Sequence, residues 1–284
     1  KKEWRYLLDN LVDFQIDENG LRIGKDIPFT NPHRHYSHLL AFYPLMVITP
    51  EKEEDKKLLR KSLDHWLDVT FNSGKKIKAM PVTGYTATGA ASMYANLGDA
   101  EKAYYYLDFL IKHKNISSTT MYSEGKINPV IESPLSFATS VHDMMLQSWG
   151  GKIRVFPASP KKWKDVAFHD LRTQGAFLVS AKKVEGTTEF VSVKSLKGNE
   201  CIVKVDFENP QFYINGKSVS ANKAADGSYK VDLKQNESVI ITSKSLDKTD
   251  LSIIELPKSE AEQNLFGYGK KTKRLPGHDY YSSY

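Results

Sequence analysis

An early stretch of the chain reads NPHRHYSHLLAFYPL and places three histidines and an arginine within six positions, just before an apolar run. The spacing of His33, His35 and His38 suits zinc poorly, because two histidines on a helix need positions i and i+4 to converge on one ion. Helix capping explains one of these side chains but leaves Arg34 unexplained. The concentration of N–H donors fits best a helix start that faces a cavity and binds a ligand rich in oxygen atoms.

A second stretch, INPVIESPLSFATSVHDMMLQSW, carries an acid directly before an apolar helix. The plain structural interpretation of Glu132 is a favourable interaction between its carboxylate and the dipole of that helix. Glu124 lies eight residues earlier in a predicted loop, can face the same cleft and is a candidate for substrate binding. Because two carboxylates that flank a sugar ring carry out glycoside hydrolysis, the pair makes this chemistry a candidate.

The other chemically suggestive residues have simpler structural interpretations. The stretch TGYTATGAASMYANLG lacks the G-K-[ST] ending of a phosphate loop, so it predicts a helix of small residues that packs closely against its neighbours. Trp66, Trp149 and Trp163 are core candidates first and sugar-stacking candidates second. Cys201 is the one cysteine of the chain, which excludes an intrachain disulfide and a thiolate metal cluster.

Helical periodicity runs through the chain up to about residue 151 and supplies the elements that must position these side chains. Apolar residues recur at helical spacing in the segments KKEWRYLLDNLVD, HYSHLLAFYPLMV, PEKEEDKKLLRKSLDHWLDVTFNSG, TGYTATGAASMYANLGD, DAEKAYYYLDFLIKHK and PLSFATSVHDMMLQSWGG. Short turns join these segments in pairs, so residues 1–151 predict a helix bundle, solenoid or toroid. The first segment has no capping residue before it, and we therefore expect more of the protein upstream of Lys1.

The periodicity changes from helical to alternating after Gly151. Seven short segments alternate apolar and polar residues, and Asn215-Gly216 and Asp226-Gly227 supply hairpin turns between them. This pattern predicts an antiparallel β-sandwich over residues 152–245. Residues 246–284 have weak periodicity, and we expect them to form an extended tail that packs on the rest.

The composition supports globular domains and disfavours two classes of partner. The 284 residues are 40% hydrophobic and 26% charged, which is enough for an extended hydrophobic core. The net charge of +6 comes from lysines scattered through both halves, whereas a nucleic-acid-binding protein concentrates them on one face. No apolar run approaches the roughly 20 residues that span a bilayer. We therefore expect neither a nucleic acid nor a membrane span.

Three motifs, in order along the chain, resemble the second half of glycoside hydrolase family 95. They are HRHYSHL followed by YP, then YANLGDAEKAYYYLDFLI, and then MMLQSWGGKIRVFPASPKKWKDVAFHDLRTQGAFLVSA. The resemblance covers roughly residues 1–195, and its most specific parts are the HRHxSHL stretch and the stretch from LQS to RxxGxF. The family includes inverting α-L-fucosidases and α-L-galactosidases.

The resemblance implies a fold and a set of residue roles. The fold is an (α/α)6 barrel, of which this chain supplies a part, followed by β-structure, so the chain is expected to be an α + β multidomain protein. Arg34 and His35 are implied as donors to sugar hydroxyls, with His33 and His38 orienting them from behind. Counting back from MMLQS implies that Glu132 is the general base. The resemblance implies no metal and no organic cofactor.

The chain departs from the family pattern around this base. Where the family has an acid followed by a glycine, an asparagine and another glycine, this chain has a longer acid on a stiffer backbone, Glu132-Ser133-Pro134-Leu135. The family's general acid and the asparagines that assist its base lie upstream of the HRH stretch by more residues than this chain contains. We therefore expect an oligo- or polysaccharide substrate, and the missing N-terminal half of the same protein as a partner.

Two other functions stay open on the sequence. A polysaccharide lyase also combines a helical toroid with a β-sandwich and uses Arg, His and Tyr, for which Tyr36 and Tyr85 are available. A carbohydrate-binding homologue without catalysis is the second alternative, because the residues around Glu132 differ from the family pattern. By analogy with the family, we expect a periplasmic, cell-surface or secreted location.

Overall fold

The computed structural model describes residues 1–73, 83–113, 122–124 and 128–254. The α-helices of these residues are α1 (Lys2–Asp9), α2 (Glu53–Ser73), α3 (Gly84–Asn96), α4 (Ala100–His113) and α5 (Glu132–Met145). Two short hairpins lie among them, β1 (Ile16–Asp17) with β2 (Gly20–Leu21), and β3 (Tyr122–Glu124) with β4 (Asn128–Val130). The later strands are β5 (Leu146–Gln147), β6 (Ile153–Val155), β7 (Val166–Thr173), β8 (Phe177–Val184), β9 (Thr187–Ser195), β10 (Glu200–Lys204), β11 (Gln211–Ile214), β12 (Lys217–Val219), β13 (Asn222–Lys223), β14 (Tyr229–Asp232) and β15 (Ser238–Thr242). The chain is therefore α + β, with helices in its first half and sheets in its second.

Helix α3 is buried on nearly every side, because its small residues let neighbouring elements approach its backbone. Its alanines Ala87, Ala90 and Ala91 are fully buried. Gly89 lies directly under the Tyr36 ring, and a Cβ atom at this position would overlap that ring. After α3 the chain turns at Gly98, which has a left-handed φ of 76°, and returns along α3 as α4.

Helices α3 and α5 run side by side in the same direction. The Thr88 hydroxyl lies 2.7 Å from the Ser136 hydroxyl, and one turn further on the Ser92 hydroxyl donates to the Ser140 hydroxyl at 3.0 Å. Both pairs join residues that are 48 positions apart, which is possible only if the two helices are parallel. The N-termini of α3 and α5 consequently lie at the same end of the helical part.

Helix α2 buries the face that its periodicity predicts, with Leu59, Leu63 and Trp66 fully buried. On the adjoining side, the Ser62 hydroxyl accepts the backbone N–H of Leu21 at 2.8 Å. Gly20 packs directly against Ser62 with a left-handed φ of 114°, so the first hairpin is held close to the helix. Its turn residues are Glu18 and Asn19, because Asp17 pairs with Gly20.

The predicted helix over HYSHLLAFYPLMV is wrong for most of its length. The structure has a 3₁₀ turn at Ser37–Leu39 and then a series of turns. Pro44 has no N–H group to donate, and Met46 has a left-handed φ of 50°, so a regular helix cannot continue through them. The apolar residues of this segment are also not all buried. Leu39 and Phe42 are buried, whereas Leu40, Leu45 and Val47 are exposed.

Helix α1 has its predicted amphipathic pattern but does not bury its apolar side. Trp4, Leu7 and Leu8 are exposed by 76, 58 and 62% of their surfaces, and Leu11 after the helix is 71% exposed. No residue of α1 is buried. The apolar face of this helix is thus uncovered in the described part of the chain.

Two sheets follow α5 and contribute to one buried hydrophobic cluster. The six-stranded sheet has the order β12-β11-β15-β9-β8-β7, and the five-stranded sheet has the order β13-β14-β10-β6-β5. Val179 and Val191 of the first sheet and Cys201 and Val203 of the second are fully buried in this cluster. The prediction of purely antiparallel pairing is wrong at one place, because β10 pairs with β6 in parallel. The chain passes through the other sheet between these two strands, so it can return in the same direction.

Strand β7 has no counterpart among the seven predicted strand segments, which are KIRVF, GAFLVSAKKV, TEFVSVKSL, ECIVKVDF, QFYINGKSV, GSYKVDL and SVIITSK. It pairs with β8, but the register shifts between Phe168 and Leu171. Asp170, within this β-bulge, has a left-handed φ of 51°. The bulge breaks the alternation of apolar and polar residues from which a strand is recognised.

The expected tail is described only in its first part. A 3₁₀ turn occupies Leu246–Lys248, and the Lys182 ammonium group then holds the chain through the carboxylate of Asp250 and the carbonyl oxygen of Ser252, each at 2.7 Å. Residues 255–284 lie outside the described residues. The predicted packing of the whole tail therefore stays a prediction.

The helical part and the sheets meet at the LQSW stretch. The Gln147 side chain donates to the carbonyl oxygen of Ala95 at the end of α3 at 3.1 Å and accepts the indole N–H of Trp149 at 3.0 Å. The Arg154 guanidinium stacks 3.4 Å above the Trp149 ring and pairs with Glu51 at 2.6 Å. This motif therefore has a structural role at the junction.

Among the described helices, none is both long and apolar enough to cross a membrane.

Candidate active site

The backbone of the histidine-rich stretch is fixed by side chains of two helices. The carbonyl oxygen of His33 accepts the indole N–H of Trp66 at 2.9 Å and the hydroxyl of Thr70 at 3.2 Å, both from α2. The carbonyl oxygen of Arg34 accepts the hydroxyl of Thr86 in the first turn of α3 at 2.9 Å. These bonds turn the carbonyl groups towards the protein interior and leave the His33, Arg34 and His35 side chains exposed.

The three exposed side chains interact with one another. Nδ1 of His33 lies 3.2 Å from both the backbone N–H and the carbonyl oxygen of His35, and it accepts from the first or donates to the second according to its tautomer. The Arg34 Nε–H donates to Nε2 of His35 at 3.4 Å. A guanidinium group and an imidazole ring are therefore held side by side, as hydrogen-bond donors to a ligand must be.

His38 is separate from this exposed group. Its ring is partly buried and stacks on Phe29, with ring centroids 4.4 Å apart. Burial, followed by the charges of His65 and His33, lowers the pKa of His38 to about 4. His38 is consequently neutral near pH 7, and its predicted role in orienting the donors stays a prediction.

Tyr36 and Tyr85 form one wall of a small cavity next to His35. The two tyrosine rings are stacked, with centroids 5.5 Å apart, and the Tyr36 hydroxyl donates to the Tyr85 hydroxyl at 2.9 Å. The cavity has a volume of about 210 Å³ and is completed by Ser37 and Leu40. Burial and the hydrogen bond to Tyr85 raise the pKa of Tyr36, so its hydroxyl keeps its proton. None of these five described lining residues is an acid, a lysine or an arginine.

A buried carboxyl group that the sequence reading missed lies behind this wall. The Tyr43 hydroxyl donates to Asp143 of α5 at 2.9 Å. Burial raises the pKa of Asp143 to about 6, although hydrogen bonds to the carboxylate offset part of the effect. The signal in the sequence is an acid among the apolar residues VHDMML in the body of a predicted helix.

Glu132 is the first residue of α5 and is exposed. It lies one turn before Ser136, whose hydroxyl contacts Thr88 in α3, and α3 carries Tyr85 in its own first turn. The base candidate and the histidine-rich stretch thus both adjoin the N-terminal end of the parallel α3 and α5 pair. Among the described residues, Glu132 forms no ion pair with Arg34.

Glu124 lies at the end of β3, opposite Asn128 of β4 in the hairpin that leads into α5. The predicted loop thus contains a two-stranded element. The side chain of Glu124 lies outside the described residues, so its substrate-binding role stays a prediction. Within the described ranges, no group of three or more His, Cys, Asp or Glu side chains is arranged to hold a metal ion.

Two models of protein families match the chain, and together they cover most of it. The catalytic domain of glycosyl hydrolase family 95 matches residues 2–145, and the C-terminal domain of glycoside hydrolase family 95 matches residues 147–241. The chain that carries these helices and side chains therefore belongs to the glycosidases. This chain is a member of glycoside hydrolase family 95. Among curated proteins, none matches the chain.

Solved structures with partial similarity are themselves glycoside hydrolases. A family 39 glycoside hydrolase from the gut symbiont Bacteroides cellulosilyticus WH2 has 16% sequence identity and a TM-score of 0.23, with coverage of 56% of this chain and 31% of that one. A family 127 β-arabinofuranosidase has 10% identity and a TM-score of 0.25, with coverage of 85% and 38%. A further glycoside hydrolase has 10% identity and a TM-score of 0.27, with coverage of 66% and 32%. The chain spans about a third of the length of these structures.

Proposed function

We propose that this chain is part of an inverting glycosidase that hydrolyses a terminal α-L-fucosyl or α-L-galactosyl-like residue of a glycan. The observation that carries the proposal is the meeting of two elements at one end of α3. The hydroxyl of Thr86 holds the backbone of Arg34 there, and the hydroxyl of Thr88 holds the first turns of α5, which begins with Glu132. A donor group and a carboxylate that adjoin the same helix end can act on one sugar ring.

In the proposed reaction, Glu132 removes a proton from a water molecule that attacks the anomeric carbon from one face of the ring. A carboxylic acid from another part of the same protein protonates the leaving oxygen on the opposite face. Arg34 keeps its charge at all relevant pH values, so it acts as a fixed donor to sugar hydroxyls and not as an acid or base. His35 is the second donor.

The preference for a 6-deoxy sugar is supported by Leu40. This side chain is 41% exposed and lines the cavity beside the polar side chains of His35, Ser37 and Tyr85. A fucosyl residue carries a methyl group where a galactosyl residue carries a hydroxymethyl group. Burial of that methyl group against Leu40 favours the fucosyl residue, since each buried methyl-sized group contributes about 0.8 kcal/mol.

The proposed context of the chain follows from the parallel helices. We infer that α3 and α5 are inner helices and α4 an outer helix of an (α/α)6 barrel, because parallel inner helices linked by antiparallel outer ones define that architecture. The uncovered apolar face of α1 is consistent with a further part of the same protein packing there. A glycan substrate is consistent with an extracytoplasmic location.

The experiment that tests the proposal is the Glu132→Gln substitution in the full-length protein. Turnover of an aryl α-L-fucoside is expected to fall by several powers of ten while the melting temperature stays within a few degrees. The matched control is Glu54→Gln, which removes an exposed carboxylate from the first turn of α2. Near-normal turnover of Glu132→Gln would rule out the proposed base. An unsaturated sugar product, detected by its ultraviolet absorbance, would identify a lyase instead, and sugar binding without turnover would identify an inactive homologue.

A further inference from the structure

We propose that Tyr85 is a substrate-contact residue, whose hydroxyl donates a hydrogen bond to the sugar in the cavity beside His35. This inference rests on the proposed function, because it assumes that a sugar occupies the cavity. It adds a residue from the first turn of α3 to the donors of the histidine-rich stretch.

The direction of the tyrosine–tyrosine hydrogen bond leaves the Tyr85 proton available. The Tyr36 hydroxyl is the donor in the 2.9 Å contact, and it has only one proton to give. Burial and then this hydrogen bond raise the pKa of Tyr36, so its hydroxyl keeps the proton that it donates. Tyr85 accepts that bond, and no acceptor for its own proton is found among the described residues.

The Tyr85 ring is also held in place before any ligand binds. It stacks on the Tyr36 ring with an angle of 12° between the ring planes. Tyr36 is itself fixed, because it is 4% exposed, lies against Gly89 and contacts the Trp66 ring at a centroid distance of 5.6 Å. A donor on such a support loses little conformational entropy when it binds a ligand.

The other walls of the cavity fit a neutral ligand with many hydroxyl groups. The His35 ring meets the Tyr85 ring edge-on at 6.0 Å, and Ser37 brings an exposed hydroxyl. Leu40 provides the apolar side. Among the described residues that line the cavity, none is an acid, so this part of the lining offers a metal cation no carboxylate. A sugar ring uses hydroxyl and imidazole donors and an apolar contact together.

The test is a binding titration of the full-length protein with L-fucose and with its 2-, 3- and 4-deoxy analogues, followed by calorimetry. Tyr85→Phe keeps the ring and its stacking but removes the proton donor. We expect this variant to bind L-fucose about tenfold more weakly than the unsubstituted protein does. For one of the deoxy analogues, the two proteins should have the same affinity. That pattern identifies the sugar hydroxyl that the tyrosine contacts.

The matched control is Tyr106→Phe, which removes a hydroxyl from another stacked tyrosine pair, since Tyr106 lies 5.5 Å from Tyr94 with an interplanar angle of 7°. Its L-fucose affinity should be unchanged. Unchanged L-fucose affinity of Tyr85→Phe, with an unchanged melting temperature, would overturn the role of Tyr85 but leave the proposed function standing. Equal weakening for all four sugars would show a structural effect and would also overturn it. A full-length protein that neither binds nor hydrolyses these sugars would overturn the proposed function together with the inference.

Discussion

The hydroxyl of Thr86 joins the start of α3 to the main chain of Arg34. It donates to the Arg34 carbonyl oxygen at 2.9 Å and accepts the backbone N–H of Thr83 at 3.1 Å, so one oxygen atom both caps the helix and holds the arginine backbone. Thr86 is fully buried. The backbone from which the Arg34 side chain extends is therefore tied to a helix that cannot shift without disturbing its packing on every side.

Thr86→Val keeps the shape of this side chain but removes both hydrogen bonds. A buried carbonyl oxygen then lacks its partner, so the free energy of unfolding should fall by about 1–3 kcal/mol. In the full-length protein, kcat/KM for a fucoside should fall at least about tenfold, because Arg34 loses its fixed position. Urea unfolding and steady-state kinetics measure the two effects. Thr139→Val is the control, since Thr139 is exposed and donates only within its own helix, to Leu135 at 3.1 Å. Equal effects of the two substitutions would contradict the role of Thr86.

Gly89→Ala tests the support of the cavity wall. The new Cβ would overlap the Tyr36 ring, so that ring and Tyr85 with it must move. We expect the free energy of unfolding to fall by about 1–3 kcal/mol, as for other overpacked cores, and sugar affinity to fall as well. Gly24→Ala is the matched control, because no atom lies within 4 Å of a Cβ there. A Gly89→Ala protein with the stability and sugar affinity of the control would show that Tyr36 is not held in this way.

Leu40→Gln tests the preference for a 6-deoxy sugar. The substitution replaces the apolar wall with a group that can hydrogen-bond to a hydroxymethyl substituent. The ratio of kcat/KM for a fucoside to that for the matching α-L-galactoside should fall by about tenfold or less, the range that one methyl-sized contact provides. The control is Leu45→Gln, since Leu45 is 64% exposed and does not line the cavity. An unchanged ratio for Leu40→Gln would place the methyl group elsewhere.

Asp143→Asn tests the buried carboxyl group through the pH dependence of stability. The pKa of Asp143 is raised from 3.8 to about 6 in the folded protein, so the folded state keeps a proton that the unfolded state loses first. This stabilisation of the folded state amounts to at most about 3 kcal/mol. It is fully present below pH 4 and is lost as the pH rises to about 6. The variant should therefore gain stability relative to the unsubstituted protein between pH 4 and 7. Asp13→Asn, at an exposed position, is the control. A difference in stability that does not vary with pH would contradict the raised pKa.

The periodicity of the sequence predicted the regular elements that bury one face. Helix α2 has its apolar face where the leucines and Trp66 indicate, and the Asn215-Gly216 hairpin joins β11 to β12 as expected. The prediction was wrong where local chemistry interrupts a pattern, at Pro44 and Met46 in the predicted helix and at the Asp170 bulge in β7. Periodicity reports only which side chains are apolar and not which backbone groups can pair.

The candidate site was predictable only in part. Arg34 and His35 stand out in the sequence because three histidines and an arginine fall within six positions before an apolar run, and their roles in the site stay predictions. Tyr85 was named only for the lyase alternative, and Asp143 was not assigned to the site, since a tyrosine or a single acid in a helix has no distinctive spacing. Their importance arises from long-range contacts, Tyr85 with a residue 49 positions away and Asp143 with one 100 positions away, which no local pattern reports.

The central claim is that Arg34 and His35 face the same hollow as Glu132. A crystal structure of the full-length Glu132→Gln variant with an α-L-fucoside bound tests it most directly. We expect a sugar ring within hydrogen-bond distance of the guanidinium and imidazole groups, with the residue 132 amide on the face of the ring opposite the glycosidic oxygen. A side chain at position 132 that points into bulk solvent, away from the sugar and from the two donors, would contradict it.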